Sequence, residues 1–219
     1  MSTANVSKPN RSQINAFRTD MFGRTKVAQP YTLFDSSHRY QPSPDYSYTT
    51  VTGGTVTYNA DQSTVLHNVT TASGSEVTSE TFKVFPYQAG KSLQVLQTFT
   101  FASPKSNLRQ RVGYFSRVNG IYLEQDDSSV YLVKRTKVSG VVEESRISQS
   151  EWNVDKLNGS GPSDVVLDLT KAQIFFIELD SVGTGSVRVG FAIDGYFIVA
   201  HQFNHSNHID TVYMTTVTL

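Results

Sequence analysis

Three histidines near the C-terminal end have the clearest potential for metal chemistry. His201, His205 and His208 are close in sequence, and Asp210 follows them. Imidazole nitrogens suit zinc and other transition metals, and this spacing resembles a ligand set. The surrounding sequence, however, is that of a polar loop after a strand, where neighbouring side chains often point apart. We therefore favour a solvated or interface loop over a metal site.

Acidic side chains offer a second candidate chemistry. Glu178 and Asp180 alternate along a predicted strand and share one face, whereas adjacent acids elsewhere in the chain point to opposite faces. Two carboxylates on one face are a minimum for glycoside hydrolysis. Nucleophilic catalysis lacks both a cysteine and a Gly-x-Ser-x-Gly elbow. The sequence therefore predicts a protein that is not an enzyme and that has no cofactor.

Aromatic side chains suit recognition rather than catalysis. Trp152 is the only tryptophan, and Tyr46 and Tyr48 lie in a stretch rich in tyrosine and proline. Each is a candidate for contact with a glycan or with a protein partner. Because apolar residues follow Trp152 closely, we favour a place for its ring at the end of the core. The only helical turn that we predict in this domain lies at residues 152–157.

The elements that must position these residues are predicted to be strands. From residue 46 onward, side chains alternate with a period of two, and Thr, Val and aromatic residues are abundant. The pairs Asn119-Gly120 and Asp194-Gly195 are typical of tight hairpin turns. Roughly a dozen short strands separated by turns indicate an all-β fold. We predict an antiparallel β-sandwich of jelly-roll or concanavalin-like type.

The composition restricts the function further. The chain has 219 residues, 38% of them hydrophobic, which is enough for one substantial core. Lys plus Arg and Asp plus Glu are 19 each, so the whole chain offers no electrostatic footprint for nucleic acid or an anionic membrane. Cysteine is absent, which removes disulfides and thiolate metal sites. No apolar run approaches the roughly 20 residues that span a bilayer.

Residues 1–45 differ from the rest of the chain. They lack sustained periodicity and contain several prolines, so we predict an extended N-terminal arm, with a disordered leader as the alternative. Residues 1–27 hold five basic residues and one acidic residue, a local excess of +4. The residues that we expect to make contacts from this arm are Ile14, Phe17, Phe22, Arg24, Tyr31 and Phe34.

Several segments of the chain resemble a family of virion structural proteins from tailed bacteriophages. The segments are RVGYF at 111–115, WNVDKLNGSGPS at 152–163, LDLTKAQI at 167–174 and VRVGFAIDG at 187–195. The stretch FGRTKVAQPYTLFDSSHRY at 22–40 is similar to the leader of the same family. Asp164 stands where the family has glycine, a departure that affects a turn. The resemblance extends over most of the chain.

The resemblance implies a non-enzymatic structural component of a tailed-phage virion, assembled in the host cytoplasm. Residues 1–45 would anchor it and residues 46–219 would form the sandwich, at the tail, the baseplate or the base of a fibre. A head decoration protein and a carbohydrate-binding receptor-recognition module are the alternatives. Expected partners are other copies, in a homo-oligomer such as a trimer, other virion proteins and, for a receptor-binding module, a host surface glycan. Neither nucleic acid nor membrane is an expected partner. The strand-like end at Leu219 predicts that the native chain continues.

Overall fold

A computed structural model describes residues 31–85, 91–180 and 184–214, and the statements below concern those residues. Their regular elements are twelve β-strands and a 3₁₀ turn at Gln149–Glu151. The described chain is therefore all-β, as the period-two alternation predicts. None of its helical segments has the length and apolar character needed to cross a membrane.

The chain divides into two compact units at residue 85. The N-terminal unit comprises described residues 31–85, and the sandwich unit comprises described residues 91–180 and 184–214. The sequence predicts one domain from residue 46 onward, so this division is a difference from that expectation. It follows from the strand pairing, because the first four strands pair only among themselves.

The N-terminal unit contains two separate antiparallel strand pairs. Strand β1 (Tyr46–Val51) pairs with β4 (Glu76–Thr81), and β2 (Thr55–Asn59) pairs with β3 (Thr64–Asn68). The faces turned inward carry tyrosine and valine side chains that are only half-buried. A two-stranded ribbon has too little area on one face to form a closed apolar core.

Residues 31–45 belong to this unit rather than to a free arm. The ring centroid of Phe34 lies 5.5 Å from that of Phe85 and 6.3 Å from that of Tyr46. The imidazole of His38 lies 5.7 Å from the Tyr46 ring. Edge-to-face aromatic contacts of this kind hold the segment against the strands. The predicted arm before residue 31 lies outside the described residues.

The sandwich unit is built from two four-stranded antiparallel sheets. The first sheet is a meander in the order β6 (Arg109–Phe115), β7 (Gly120–Asp126), β8 (Ser129–Thr136) and β9 (Glu143–Ser148). The second has the order β12 (Tyr196–Phe203), β11 (Val187–Ile193), β10 (Gln173–Leu179) and β5 (Leu93–Phe99). Apart from β5, each sheet therefore consists of strands that are consecutive in the chain.

One face of each sheet supplies the core between them. The alternating side chains Phe175, Ile177 and Leu179 of β10 are buried, and so are Ile121 and Leu123 of β7. Inner faces of this kind form the shared core of two packed sheets. On the opposite faces, Phe176 of β10 and Tyr122 of β7 are buried as well. The predicted antiparallel β-sandwich is confirmed in this unit.

The two predicted hairpin turns have different outcomes. Asp194 and Gly195 have φ values of 51° and 80°, so they occupy the two left-handed positions of a tight turn between β11 and β12. In the earlier hairpin Phe115 pairs with Gly120, so the turn lies at residues 116–119. A side chain at Gly120 would collide with Phe115, so this glycine is needed within the strand rather than in the turn.

The segment after the 3₁₀ turn is an irregular loop where the sequence predicts a helical turn. The backbone N–H groups of Val154 and Asp155 both donate to the Ala200 carbonyl, at 3.1 and 3.0 Å. The Asn153 amide donates to the Gln202 carbonyl and accepts from the Gln202 N–H, each at 2.9 Å. These bonds tie the loop to β12, and the helical turn occurs earlier, at Gln149–Glu151.

Candidate functional site

The C-terminal histidines do not converge as a metal site. Within the described residues, no group of three or more His, Cys, Asp or Glu side chains is arranged to hold a metal ion. His205 has Nδ1 2.8 Å from the Gly185 carbonyl and Nε2 3.2 Å from the Lys134 ammonium. A carbonyl and an ammonium fix the imidazole as the neutral form with its proton on Nδ1. Both nitrogens of His205 are thus engaged within the protein.

His201 is also part of the interior rather than of a solvated loop. Its Nδ1 accepts the N–H of Asn153 at 3.2 Å, and its ring lies edge-on to Phe203. Burial lowers the pKa of His201 to about 4, so the side chain is neutral near pH 7. His208 is exposed, and its backbone N–H closes a turn on His205. Two of the three predicted loop histidines therefore stabilise the fold.

Trp152 is a core residue, as favoured from the sequence. Its side chain is buried, and Nε1 donates to the Ile147 carbonyl at 3.3 Å. The loop that follows is organised by buried Asp155, whose carboxylate accepts the N–H groups of Leu157 and Ser163 at 2.9 and 2.8 Å. The tryptophan thus has no exposed face for a sugar ring.

The Asp155 carboxylate also explains the glycine in this loop. A side chain at Gly161 would collide with the Asp155 carboxylate. The WNVDKLNGSGPS segment is therefore a structural loop that packs around one buried acid and binds the edge of β12.

The acidic pair at the C-terminal end of β10, Glu178 and Asp180, forms an ion-pair cluster with a cross-strand arginine. Arg188 of β11 lies opposite Glu178, with Nη1 3.4 Å from its carboxylate, and Nη2 lies 3.7 Å from Asp180. Ser92 donates to Asp180 at 2.8 Å. All three charged side chains are nearly buried, so their charges compensate one another inside the protein. This arrangement accounts for the pair without catalysis.

A larger charge network, which the sequence reasoning missed, lies on the outer face of the β6–β9 sheet. Glu124 is fully buried and lies 2.6 Å from both Arg111 and Arg146. Asp126 lies 2.8 Å from Arg109 and 2.7 Å from Arg146. The hydrogen bond from Arg109 is the main reason that the pKa of Asp126 is below its usual range. Cations and carboxylates alternate here across neighbouring strands.

Tyr122 extends this network along the same face. The guanidinium of Arg135 lies 5.0 Å from the Tyr122 ring centroid and donates to the Tyr122 hydroxyl at 2.9 Å. Arg135 also pairs with Glu144 at 2.7 Å. Burial raises the pKa of Tyr122 to about 12. Burial is the largest single influence on Glu144 and would raise its pKa, but the hydrogen bonds from Arg135 and Tyr122 and the charges of Arg135 and Arg111 together lower that pKa.

A signal for this network exists in the sequence. One residue separates Arg109 from Arg111, and one residue separates Glu124 from Asp126. This spacing places both members of each pair on the same face of a strand. Hairpin pairing then brings Arg111 opposite Glu124. The pairing is recognisable only when the register is known, and the sequence left that register open.

A shallow groove lies on the surface of the sandwich unit. Its volume is about 340 Å³. Exposed Val166 and Ile174 form apolar parts of its lining, and Asp168, Lys171 and Asp194 provide charged groups. The Asp168 carboxylate accepts from Thr170, which lowers its pKa.

The predicted arm contacts fall partly outside the described residues. Four of them, Ile14, Phe17, Phe22 and Arg24, lie there. Tyr31 is 85% exposed. Phe34 instead packs inside the N-terminal unit. Of the tyrosines proposed for glycan or interface contact, Tyr46 and Tyr48 are half-buried and lie 6.4 Å apart between ring centroids.

The N-terminal unit also exposes large apolar side chains that no prediction named. Phe82 is 69% exposed, and Leu33, Val51, Leu66 and Val84 are exposed as well. Lys83 donates to the Leu33 carbonyl at 2.6 Å, which ties residue 33 to the segment after β4. Apolar side chains exposed on so small a unit are available for contact with another protein.

Comparison with known proteins gives no relative from which a function can be transferred. The chain matches no protein family model, no curated protein and no solved structure.

Proposed function

We propose that this protein is a non-enzymatic structural component of a tailed-phage virion, which assembles with copies of itself and with other virion proteins through its N-terminal region. The observation that carries the proposal is the exposure of large apolar side chains in the N-terminal unit. Covering apolar side chains of this type with another protein lowers the free energy of the system. The resemblance of the RVGYF, WNVDKLNGSGPS and LDLTKAQI segments to phage structural proteins gives the class of partner.

The engagement of reactive groups supports a structural role over catalysis. Glu178 and Asp180 are paired with Arg188, and Glu124 is enclosed by arginines. A general acid or base must reach a proton on a substrate, which a buried and ion-paired carboxylate does poorly. These groups instead hold neighbouring strands together.

The first test is immunogold electron microscopy of purified phage particles with antibody against the complete protein. Label at the tail, baseplate or fibre base is the expected result. Label on the head would assign the protein to capsid decoration. Particles that contain all other structural proteins and bind no antibody, with the epitope shown to be accessible, would refute the proposal. Deletion of residues 1–27 should also block incorporation into particles.

A carbohydrate-binding receptor-recognition module is a second candidate because of the groove beside Ile174. Grooves of a few hundred Å³ with apolar walls and a few charged groups are typical of small-ligand sites. The full chain would be titrated with purified host surface polysaccharide by calorimetry. Ile174→Trp should fill the groove and abolish binding, whereas Val141→Trp, at an exposed site outside the groove, should leave it unchanged. Equal affinities of these two variants would remove the groove from consideration.

A further inference from the structure

One side of the β1–β4 ribbon carries an acidic and apolar stripe. Glu76 and Glu80 share a face of β4 because their spacing is even, and Val51 lies opposite Glu76 on β1. The Phe82 N–H donates to the Asp45 carbonyl at 2.9 Å, which continues the pairing past the end of β4. Phe82 is thus the next residue in the series on this face. We call Val51, Glu76, Glu80 and Phe82 the β4 stripe.

The stripe lies on an element that gains little stability from its own unit. The ribbon has two strands, and Phe85 is the one apolar side chain that is fully buried among described residues 31–85. Isolated two-stranded ribbons are marginal in water, and a third layer or strand is what normally stabilises them. The exposed Phe82 and Val51 are therefore a surface that a further segment would complete.

The charge of the N-terminal unit indicates which segment fits. Residues 31–85 contain five acidic and two basic residues, which gives a net charge of −3. Residues 1–27 carry a net charge of +4 and also hold Ile14, Phe17 and Phe22. A segment that combines arginines with large apolar side chains complements glutamates interleaved with Phe82 and Val51. The basic segment is moreover joined to Tyr31, the first described residue of the same unit, by only three residues.

We propose that residues 1–27 of a neighbouring copy bind along the β4 stripe. This inference rests on the proposed assembly function and names the surface on which the arm docks. Each copy then supplies one arm and one stripe, so the same contact repeats around a closed ring. Exchange of arms also raises the effective concentration of every contact once the first has formed.

The absence of cysteine from the chain allows a direct test. Phe17→Cys in one full-length preparation is mixed with Phe82→Cys in a second preparation that carries a size tag, and the mixture is oxidised mildly. The matched control replaces Phe82→Cys with Val141→Cys, because Val141 is 68% exposed in the sandwich unit and Phe82 is 69% exposed. Non-reducing electrophoresis then measures the heterodimer of tagged and untagged chains.

We expect at least about ten times more heterodimer with Phe82→Cys than with Val141→Cys, because docking raises the local thiol concentration towards millimolar. Equal yields would overturn the inference. A chain that carries both Phe17→Cys and Phe82→Cys and forms only the bond within itself would also overturn it, by placing the arm on its own unit. In both cases, particle labelling and arm deletion still decide the proposed function separately.

Charge reversal gives a second readout that does not depend on thiol geometry. Glu80→Lys should prevent the oligomer from forming at low salt in sedimentation measurements, whereas Glu143→Lys, on the exposed edge strand β9, should not. An unchanged oligomer with Glu80→Lys would contradict docking on the β4 stripe.

Discussion

The sandwich unit contains every buried apolar side chain of the described residues except Phe85, whereas the smaller N-terminal unit has eight of the fifteen large apolar side chains that are exposed. The difference follows from strand number. Four-stranded sheets can cover each other's inner faces, but two-stranded ribbons leave most of each face at the surface. One unit therefore has its own apolar core, and the other leaves most of its large apolar side chains at its surface.

Charge is used differently in the two units as well. In the sandwich unit, Glu124 and Asp126 are enclosed by arginines of β6 and β9. In the N-terminal unit, Glu76 is exposed and Glu80 half-buried on an outward face beside apolar side chains. Enclosed ion pairs define a unique packing, whereas accessible charge guides association. The same residue type is thus enclosed by arginines in one unit and lies at the surface in the other.

The largest expected effect sharpens the contrast in burial. Phe175→Ala should lower the free energy of unfolding of the sandwich unit by about 4 kcal/mol, because it leaves a cavity in the core. Phe82→Ala should change the same quantity by less than about 0.5 kcal/mol, since its ring is exposed. Urea unfolding followed by the fluorescence of Trp152, which is buried in the sandwich unit, measures both. Similar losses for the two variants would remove the distinction between the units.

The second expected effect concerns enclosed charge. Glu124→Ala leaves Arg111 and Arg146 without their shared carboxylate and should cost about 3 kcal/mol of sandwich stability. Glu143→Ala removes an exposed glutamate from the same sheet and should cost less than about 0.5 kcal/mol. Urea midpoints at constant pH and salt test this pair. If the two variants have the same midpoint, the network does not stabilise the sheet.

The third prediction is a loss of sandwich stability in acid. The pKa of His201 is lowered from its ordinary value of 6.5 to about 4, so its contribution is complete above pH 6.5 and disappears as the pH falls through 4. The full loss is about 3 kcal/mol for this shift. His201→Asn keeps an acceptor for the Asn153 N–H but does not titrate.

Urea midpoints at pH 7 and pH 4 should therefore differ less in His201→Asn than in the native chain. Equal pH dependence in both proteins would show that His201 is not the titrating group. At still lower pH, Asp126 and Glu144 add a further loss of stability in every variant. The pKa of each carboxyl is lower in the folded protein than in the unfolded chain. Their contribution to stability is therefore complete above the unfolded pKa and is lost as the pH falls through the folded pKa.

The smallest expected effect comes from the arm itself. Deletion of residues 1–27 should shift the Trp152-reported unfolding midpoint by an amount equivalent to less than about 0.5 kcal/mol, because the sandwich unit has its own core. The same deletion should reduce oligomer formation in sedimentation measurements. A large loss of sandwich stability would indicate that the arm is part of that core instead.

The sequence was most informative where one local rule decides the structure. Alternation in β11 and the Asp194-Gly195 pair are enough to place a strand and a hairpin, because each depends on near neighbours. Trp152 was correctly favoured as a core residue on the apolar residues that follow it. The sandwich architecture follows from the accumulation of such strands.

The sequence was least informative where distant segments meet. The hydrogen bonds of Asn153 to β12 replace the predicted helical turn. The sequence around residue 153 does not indicate that its partner is Gln202. His205 is fixed by Lys134 and Gly185, which are remote in sequence, so spacing alone suggested a ligand set. The division at residue 85 likewise depends on which strands pair, and period-two alternation is identical in both units.

The hydrogen bonds between Asn153 and Gln202 protect the outer edge of β12 against strand pairing with other molecules. An outer strand normally presents free N–H and carbonyl groups to any strand that approaches, which is how β-proteins join into fibrils. Here a side-chain amide occupies both of those groups at Gln202, and backbone N–H groups occupy the Ala200 carbonyl. When many copies lie side by side, strand pairing between copies is therefore disfavoured along this edge of β12. Specific contacts between copies would form through other surfaces.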